Sequence, residues 1–308
     1  MSAVEGRAGL VVLGDGVVAL SGRGSLADSH RFTRAYVGDG PVAAVTYARQ
    51  GRDAILVTRL GDDAFAEPLL SSWDTEGLHL DYANTVPGRN GVVLLGEEGR
   101  EAISFRSASA VAGLAAADIA HFPWELAAFA YTTGSMQMLG DGVRKTLVKA
   151  FQDARDQGVR TVFNPVYSPG LWGATDARQA VVALDEILRV TDILLIKAPL
   201  GAGQLLFQAT AADAARAALK KGPSIVVVRD AARGYTVAAE GQIVAVDAPT
   251  PVLHPLMETV FDGAFLAALA EGASVPEAVK QAARVASDAE GCPVGLEHIP
   301  VAPGAVAL

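Results

Sequence analysis

The sequence predicts a three-layer α/β/α protein on a mostly parallel sheet, with a small antiparallel β lid set over it. Three observations carry this reading. Short β-branched or aliphatic runs alternate with longer alanine-rich segments, the rhythm of strands joined by covering helices. Two stretches, 17–36 and 84–108, replace that rhythm with short alternating strands and turn signals at Pro87-Gly88 and Glu98-Gly99, with no helix between the strands. A chain of 308 residues, 51% hydrophobic and 19% charged, can bury one large core. Residues 1–308 are therefore read as a single domain with the lid inserted in it.

The first strand is expected at Leu10–Leu13, closed by Gly14. Pro41–Gln50 reads as a helix, Ala54–Thr58 as a strand, and Phe65–Glu76 as a helix ended by Gly77 as its C-cap. Strands follow at Phe129–Thr132, Thr161–Asn164, Ile193–Ile196 and Ile225–Val228. Helices at Val143–Gln157, Ala177–Leu188 and Ala211–Lys220 separate them, and helices at Phe261–Glu271 and Pro276–Ala289 close the chain.

A net charge of −9 without a Lys/Arg cluster lacks the footprint that a phosphate backbone demands, so nucleic acid is not an expected partner. Apolar runs such as Ile193–Ile196 fall far short of the roughly 20 residues that span a bilayer, and no membrane association is expected. Glu5 and Arg7 precede the first strand without a cationic leader, which points to the cytoplasm. The single Cys292 excludes an internal disulfide and a thiolate metal cluster. The five histidines show no metal-ligand spacing, and Ser135 has no nameable His and Asp partners for nucleophilic catalysis.

Three strings carry a resemblance. Arg59-Leu60-Gly61-Asp62-Asp63-Ala64-Phe65 follows R-x-G-D-D-x-F, although helix capping alone would explain both acids. Asp74 to Gly77 is set against E-x-E-G. Phe163-Asn164-Pro165-Val166-Tyr167-Ser168-Pro169-Gly170-Leu171-Trp172 is set against F-D-x-N-x-R-x-x-L-W. With the order of elements, they make the chain resemble the PfkB (ribokinase-like) carbohydrate kinases, most of all the 2-keto-3-deoxygluconate kinases. The resemblance implies a sugar or sugar acid held between lid and sheet, ATP along the strand ends, and a helix-start Asp as base beside backbone N–H groups. It also implies a homodimer formed through the lid sheet.

The same resemblance exposes departures. The family's D-T-T-G-A-G-D-x-F corresponds, without gaps, to Met257-Glu258-Thr259-Val260-Phe261-Asp262-Gly263-Ala264-Phe265. Gly263 then takes the base's position, with Asp262 one residue early and turned by about 100°. Val260 and Phe261 replace small residues and are expected to fill the phosphate's space. The metal-organising N-x-x-E corresponds to Lys197-Ala198-Pro199-Leu200, and leucine offers Mg²⁺ no oxygen. A G-x-x-G turn becomes Ala231-Ala232-Arg233-Gly234. Lys197, Arg229, Ala231, Gly234, Val260 and Phe261 thus form a degenerate nucleotide side.

On the substrate side the resemblance implies Asp15, Gly38, Asp39, Arg106, Asn164 and Tyr167. G-G-D-x-x-N has become Val37-Gly38-Asp39-Gly40-Pro41-Val42, and the carboxylate-gripping Arg of the third string is Ser168. Arg106, within Ser104-Phe105-Arg106-Ser107-Ala108-Ser109-Ala110, matches Y-x-R-x-x-S-A and would be the surviving sugar-acid contact; a solvated lid-edge arginine is the plainer alternative. These departures favour a pseudokinase that binds a small polyol or sugar acid. The alternatives are a working kinase with Asp262 as base, or a scaffold turned to another small-molecule reaction. No cofactor is firmly implied; ATP and Mg²⁺ would be needed if phosphoryl transfer is retained.

Overall fold

The computed structural model describes residues 9–96, 101–166, 177–198, 210–230 and 233–302. Thirteen strands form two sheets among these residues. The chain opens with β1 (Gly9–Leu13), β2 (Val17–Gly22) and β3 (Phe32–Val37), followed by α1 (Asp39–Arg49), β4 (Ala54–Gly61) and α2 (Ala66–Thr75). Then come β5 (Ala83–Val86), β6 (Gly91–Leu95), β7 (Ala102–Phe105), β8 (Ala127–Thr133), a short α3 (Gly134–Gln137) and α4 (Asp141–Asp156). The remainder is β9 (Arg160–Asn164), α5 (Ala177–Leu188), β10 (Ile193–Ala198), α6 (Ala211–Leu219), β11 (Ile225–Asp230), β12 (Gly234–Ala239), β13 (Gln242–Val246), α7 (Val260–Ala270) and α8 (Val275–Asp288).

The large sheet runs β13-β12-β11-β10-β9-β8-β1-β4-β5, parallel from β11 to β5. Its central strands β1, β4, β8, β9, β10 and β11 are buried on both faces, so successive residues feed two cores. Leu10, Val12 and Leu56 join the layer of α1, α7 and α8, whereas Val11, Leu13 and Val57 join that of α4 to α6. The chain leaves β1 toward β4 and returns to its other side at β8. Strand order reverses there, and open α/β sheets bind ligands beyond the strand ends at such a point. No helix among the described residues is long and apolar enough to cross a membrane.

Gly77 ends α2 as expected. Its φ is 73°, and the bonds Leu78 N–H to Trp73 O (3.1 Å) and Gly77 N–H to Asp74 O (2.9 Å) close a Schellman turn. The Gly61-Asp62-Asp63 string has a further task. Asp63 accepts from Phe65 N–H at 2.9 Å and from Asn90 N–H at 2.8 Å, and Asp62 accepts from Gly88 N–H at 3.0 Å. Asp63 thus fixes the turn that leads into α2, and both carboxylates pin the 88–90 stretch at the base of the lid.

The lid is the sheet β3-β2-β6-β7. Its outer pairs are antiparallel, while its central pair, β2 with β6, runs parallel. Asn84–Val86, read with the lid, pairs instead with β4 in the large sheet, so the second lid segment begins at Gly91. The hairpin β12–β13 at the opposite edge is not among the elements expected from the sequence. Its Glu240-Gly241 turn, with φ of 53° and 75°, is the two-residue turn that positive φ at both positions permits.

Candidate active site

The turn Gly14-Asp15-Gly16 after β1 lies against Gly38-Asp39-Gly40 at the start of α1. A Cβ on Gly38, whose φ is 135°, would sit 2.0 Å from the Asp15 carbonyl oxygen, and one on Gly14 would sit 2.9 Å from the Gly40 Cα. Backbone approach this close requires glycine, and it brings Asp15 and Asp39 to one place. Asp15 is buried. Its Oδ2 accepts from Arg106 Nε at 2.7 Å and also meets Nη2, while Oδ1 is buried without a hydrogen-bond partner. Arg106, just past β7, is therefore no solvated lid-edge side chain: only 12% of it is exposed.

Asp39 is half-buried in the first turn of α1. Burial pushes its carboxyl up to about 6, opposed by Arg106 and a Ser135 hydrogen bond and assisted by the charges of Asp15 and Glu258. Ser135 shares a 2.7 Å hydrogen bond with Thr133 at the end of β8.

Helix α7 starts beside this group, where Thr259 Oγ1 donates to the Asp39 carbonyl at 2.8 Å. Asp262 in its first turn has no exposed surface. It does not act as a cap. Its Oδ2 accepts from Tyr131 Oη at 2.8 Å and from Asn164 Nδ2, and its Oδ1 lies 3.5 Å from Arg229 Nη2. Burial raises the Asp262 carboxyl above its ordinary value despite the opposing pull of Arg229, Asn164 and Tyr131. Burial, then the Asp262 charge, hold Tyr131 protonated, which makes it the donor. Gly263 points elsewhere. A Cβ there would meet the Ala43 carbonyl at 2.3 Å and Thr46 Cβ at 2.7 Å, on α1. Of the two positions, 262 faces the strand ends and 263 the helix layer.

On the other flank, Lys197 from β10 pairs with the Glu258 carboxylate, and Arg229 from β11 donates to the Glu258 carbonyl at 3.1 Å. Val260 is turned into the core, whereas Phe261, itself buried, stacks on Tyr235 (5.3 Å) beneath the Arg229 guanidinium (4.9 Å) and forms part of a cavity wall. A cavity of about 90 Å³ remains, lined in part by Lys197, Arg229, Tyr235, Glu258 and Phe261. Gly234, with φ of 82°, opens β12 beside Val246. Among the described residues no three His, Cys, Asp or Glu are grouped to hold a metal. Tyr167 and Ala231 lie outside the described residues.

The structure thus gathers Asp15, Gly38, Asp39 and Arg106 into one cluster, and Asn164, Asp262 and Arg229 into a second. Tyr131, Glu258 and Thr259 complete these clusters and were not singled out in the sequence. The legible signals were the polar Tyr131-Thr132-Thr133 at a strand end and an acid immediately before a helix.

A parallel sheet with a switch point, acids at its strand ends and a second sheet folded over them define a lidded α/β fold, in which the strand ends at the switch point are the expected ligand position. The chain belongs to the pfkB family of carbohydrate kinases, whose profile matches residues 9–289. The 2-dehydro-3-deoxygluconokinase of Escherichia coli (strain K12) is 27% identical over 297 residues, 90% of this chain and 93% of the relative. The enzyme of the same name from Dickeya dadantii (strain 3937) is 27% identical over 199 residues, 61% of this chain and 62% of the relative. Among solved structures, a PfkB protein from Polaromonas sp. JS666 superposes with a TM-score of 0.83 at 22% identity, covering 93% and 97% of the two chains. Fructokinase with bound ATP from Xylella fastidiosa gives 0.84 at 17% identity, covering 95% of each. At such identities the structures speak for the fold, which is ribokinase-like as expected.

Proposed function

We propose that this pfkB-family sugar kinase homologue holds a small polyol or sugar acid between lid and sheet and has lost most of its capacity for phosphoryl transfer. The enclosure of Asp262 carries the reading. A general base must reach the proton it removes. Asp262 has no exposed surface, its Oδ2 is taken by Tyr131 and Asn164, and its Oδ1, which has no hydrogen-bond partner, faces the Arg229 guanidinium at 3.5 Å.

The residues present also fit a nucleotide poorly. Glu258 sets a carboxylate at the start of α7, where a phosphate would need positive surroundings; that carboxylate engages Lys197, while the Glu258 main-chain carbonyl accepts from Arg229. The cavity of about 90 Å³ falls well below the roughly 300 Å³ of small ligand pockets. Calorimetry with ATP-Mg and a panel of sugars and sugar acids tests the reading. Heat is expected only from the sugars, and tight ATP-Mg binding with turnover would end it. Glu258→Gln, which frees Lys197, is expected to raise affinity for inorganic triphosphate at least about tenfold.

A second reading, a working kinase, has one observation in its favour. Asp262 is aimed at the strand ends beside Asn164 and not outward as a helix cap. Release of ADP on 2-keto-3-deoxygluconate, with Asp262→Asn as control, decides it: a rate no higher than background removes this alternative.

The lid supplies a surface for a second copy. Registers place Phe32, Leu20, Leu94, Ile103, Val92 and Phe105 on one face, and Phe105, Ile103 and Phe32 are 58%, 48% and 41% exposed. Light scattering should report a dimer that Phe105→Asp converts to monomer; a monomeric parent protein would refute the assembly.

A further inference from the structure

We propose that Asp15 sets the charge of the ligand: it withholds Arg106 from carboxylates, so the site between lid and sheet takes an uncharged polyol in preference to a sugar acid. The inference rests on the binding reading above and narrows it.

Arg106 alone would argue for a sugar acid, because a guanidinium is the natural partner of a carboxylate. Its partner is already supplied. Nε and Nη2 both meet Asp15 Oδ2, and the pair is nearly closed to solvent, with 12% of the Arg106 side chain and 1% of the Asp15 side chain exposed. Removing one member of such a pair leaves a buried charge uncompensated, so a ligand carboxylate cannot displace Asp15 cheaply. Binding beside the pair is no better, since the incoming charge would face both Asp15 and Asp39.

The two other cations described in the site are engaged elsewhere. Lys197 pairs with Glu258, and Arg229 is held by the Glu258 carbonyl and Asp262. Asp15 Oδ1 is the independent observation. It is a buried acceptor with no hydrogen-bond partner, a state it shares with Asp262 Oδ1, but unlike that atom it lies in the cluster that also holds Asp39, where such an atom calls for a donor. A hydroxyl brings one and a carboxylate brings none. Asp39 is a second acceptor within the same cluster.

The test is calorimetry on matched pairs, xylitol against xylonate and glucitol against gluconate, with the parent protein and with Asp15→Asn. In the parent, each alditol is expected to bind at least tenfold more tightly than its aldonate. In Asp15→Asn, Arg106 is freed and the preference should fall by tenfold or reverse. Aldonates that bind the parent as tightly as alditols overturn this proposal and leave the binding reading standing. If neither charge class binds, both fall. The parent comparison is decisive by itself should Asp15→Asn fail to fold, which circular dichroism reports.

Discussion

Gly263→Asp, the change that restores the family's acid at its aligned position, is expected to destabilise the protein by more than about 3 kcal/mol and to restore no phosphoryl transfer. The reason is direction. Position 263 looks at α1, where even a Cβ would come within 2.3 Å of the Ala43 carbonyl and 2.7 Å of Thr46 Cβ. The nearer atom is backbone, so no rotamer change relieves the contact and the two helices must separate. Overpacking of this kind costs about 1–3 kcal/mol for added methylenes. A carboxylate pressed against a carbonyl oxygen adds an unpaired buried charge. Gly263→Ala isolates the steric part and should cost about 1–3 kcal/mol. Urea denaturation of both variants measures these losses, and ADP release measures function. A Gly263→Asp protein as stable as its parent, or active, would show that the start of α7 can rotate by one residue and reopen the kinase reading.

Packing and connection of this kind also mark how far the sequence could be read. The strands and helices were legible to within a few residues because burial on both sheet faces writes continuous apolar runs and covering helices write alanine-rich ones. The departures have particular causes. Asn84–Val86 is as short and alternating as a lid strand, and only its pairing with β4 assigns it to the large sheet. The β2–β6 pair is parallel because the whole α1–β5 stretch lies between its members, a fact of connection that local pattern does not carry. The Glu240-Gly241 turn was a readable hairpin signal.

In the site, residue types were legible and phase was not. Sequence placed an acid at or near position 262, but which of two adjacent residues faces the sheet depends on how α7 packs on α1 through Gly263. The salt bridge of Lys197 with Glu258 joins residues 61 apart, and the Arg106–Asp15 pair joins residues 91 apart. Pairings at such separations are set by topology, which is why Arg106 read as a free carboxylate contact.

Asp39→Asn is expected to make the protein more stable at neutral pH and worse at binding. The Asp39 carboxyl is raised from 3.8 to about 6 by burial, so the folded state prefers the proton. The stability linked to that proton is fully present below about 3.8 and is lost as pH rises through about 6. Each tenfold rise in proton affinity is worth about 1.4 kcal/mol, so at pH 7 the ionised group costs about 3 kcal/mol, an upper figure because Asp39 keeps some contact with solvent. Asparagine mimics the protonated form and avoids the cost. The loss of a negative charge at the start of α1 works the other way, but that interaction is worth under about 1 kcal/mol and does not reverse the sign. The gain should therefore approach about 3 kcal/mol at pH 7, fall to about half at pH 5 and vanish below about 3.8. Urea titrations across that range give the profile directly. In the same variant, affinity for a polyol should drop tenfold or more, because the charged acceptor beside Asp15 is gone. A residue kept for structure would lose stability on replacement. Opposite movements of stability and binding mark one kept ionised, at a cost to folding, for the sake of a ligand.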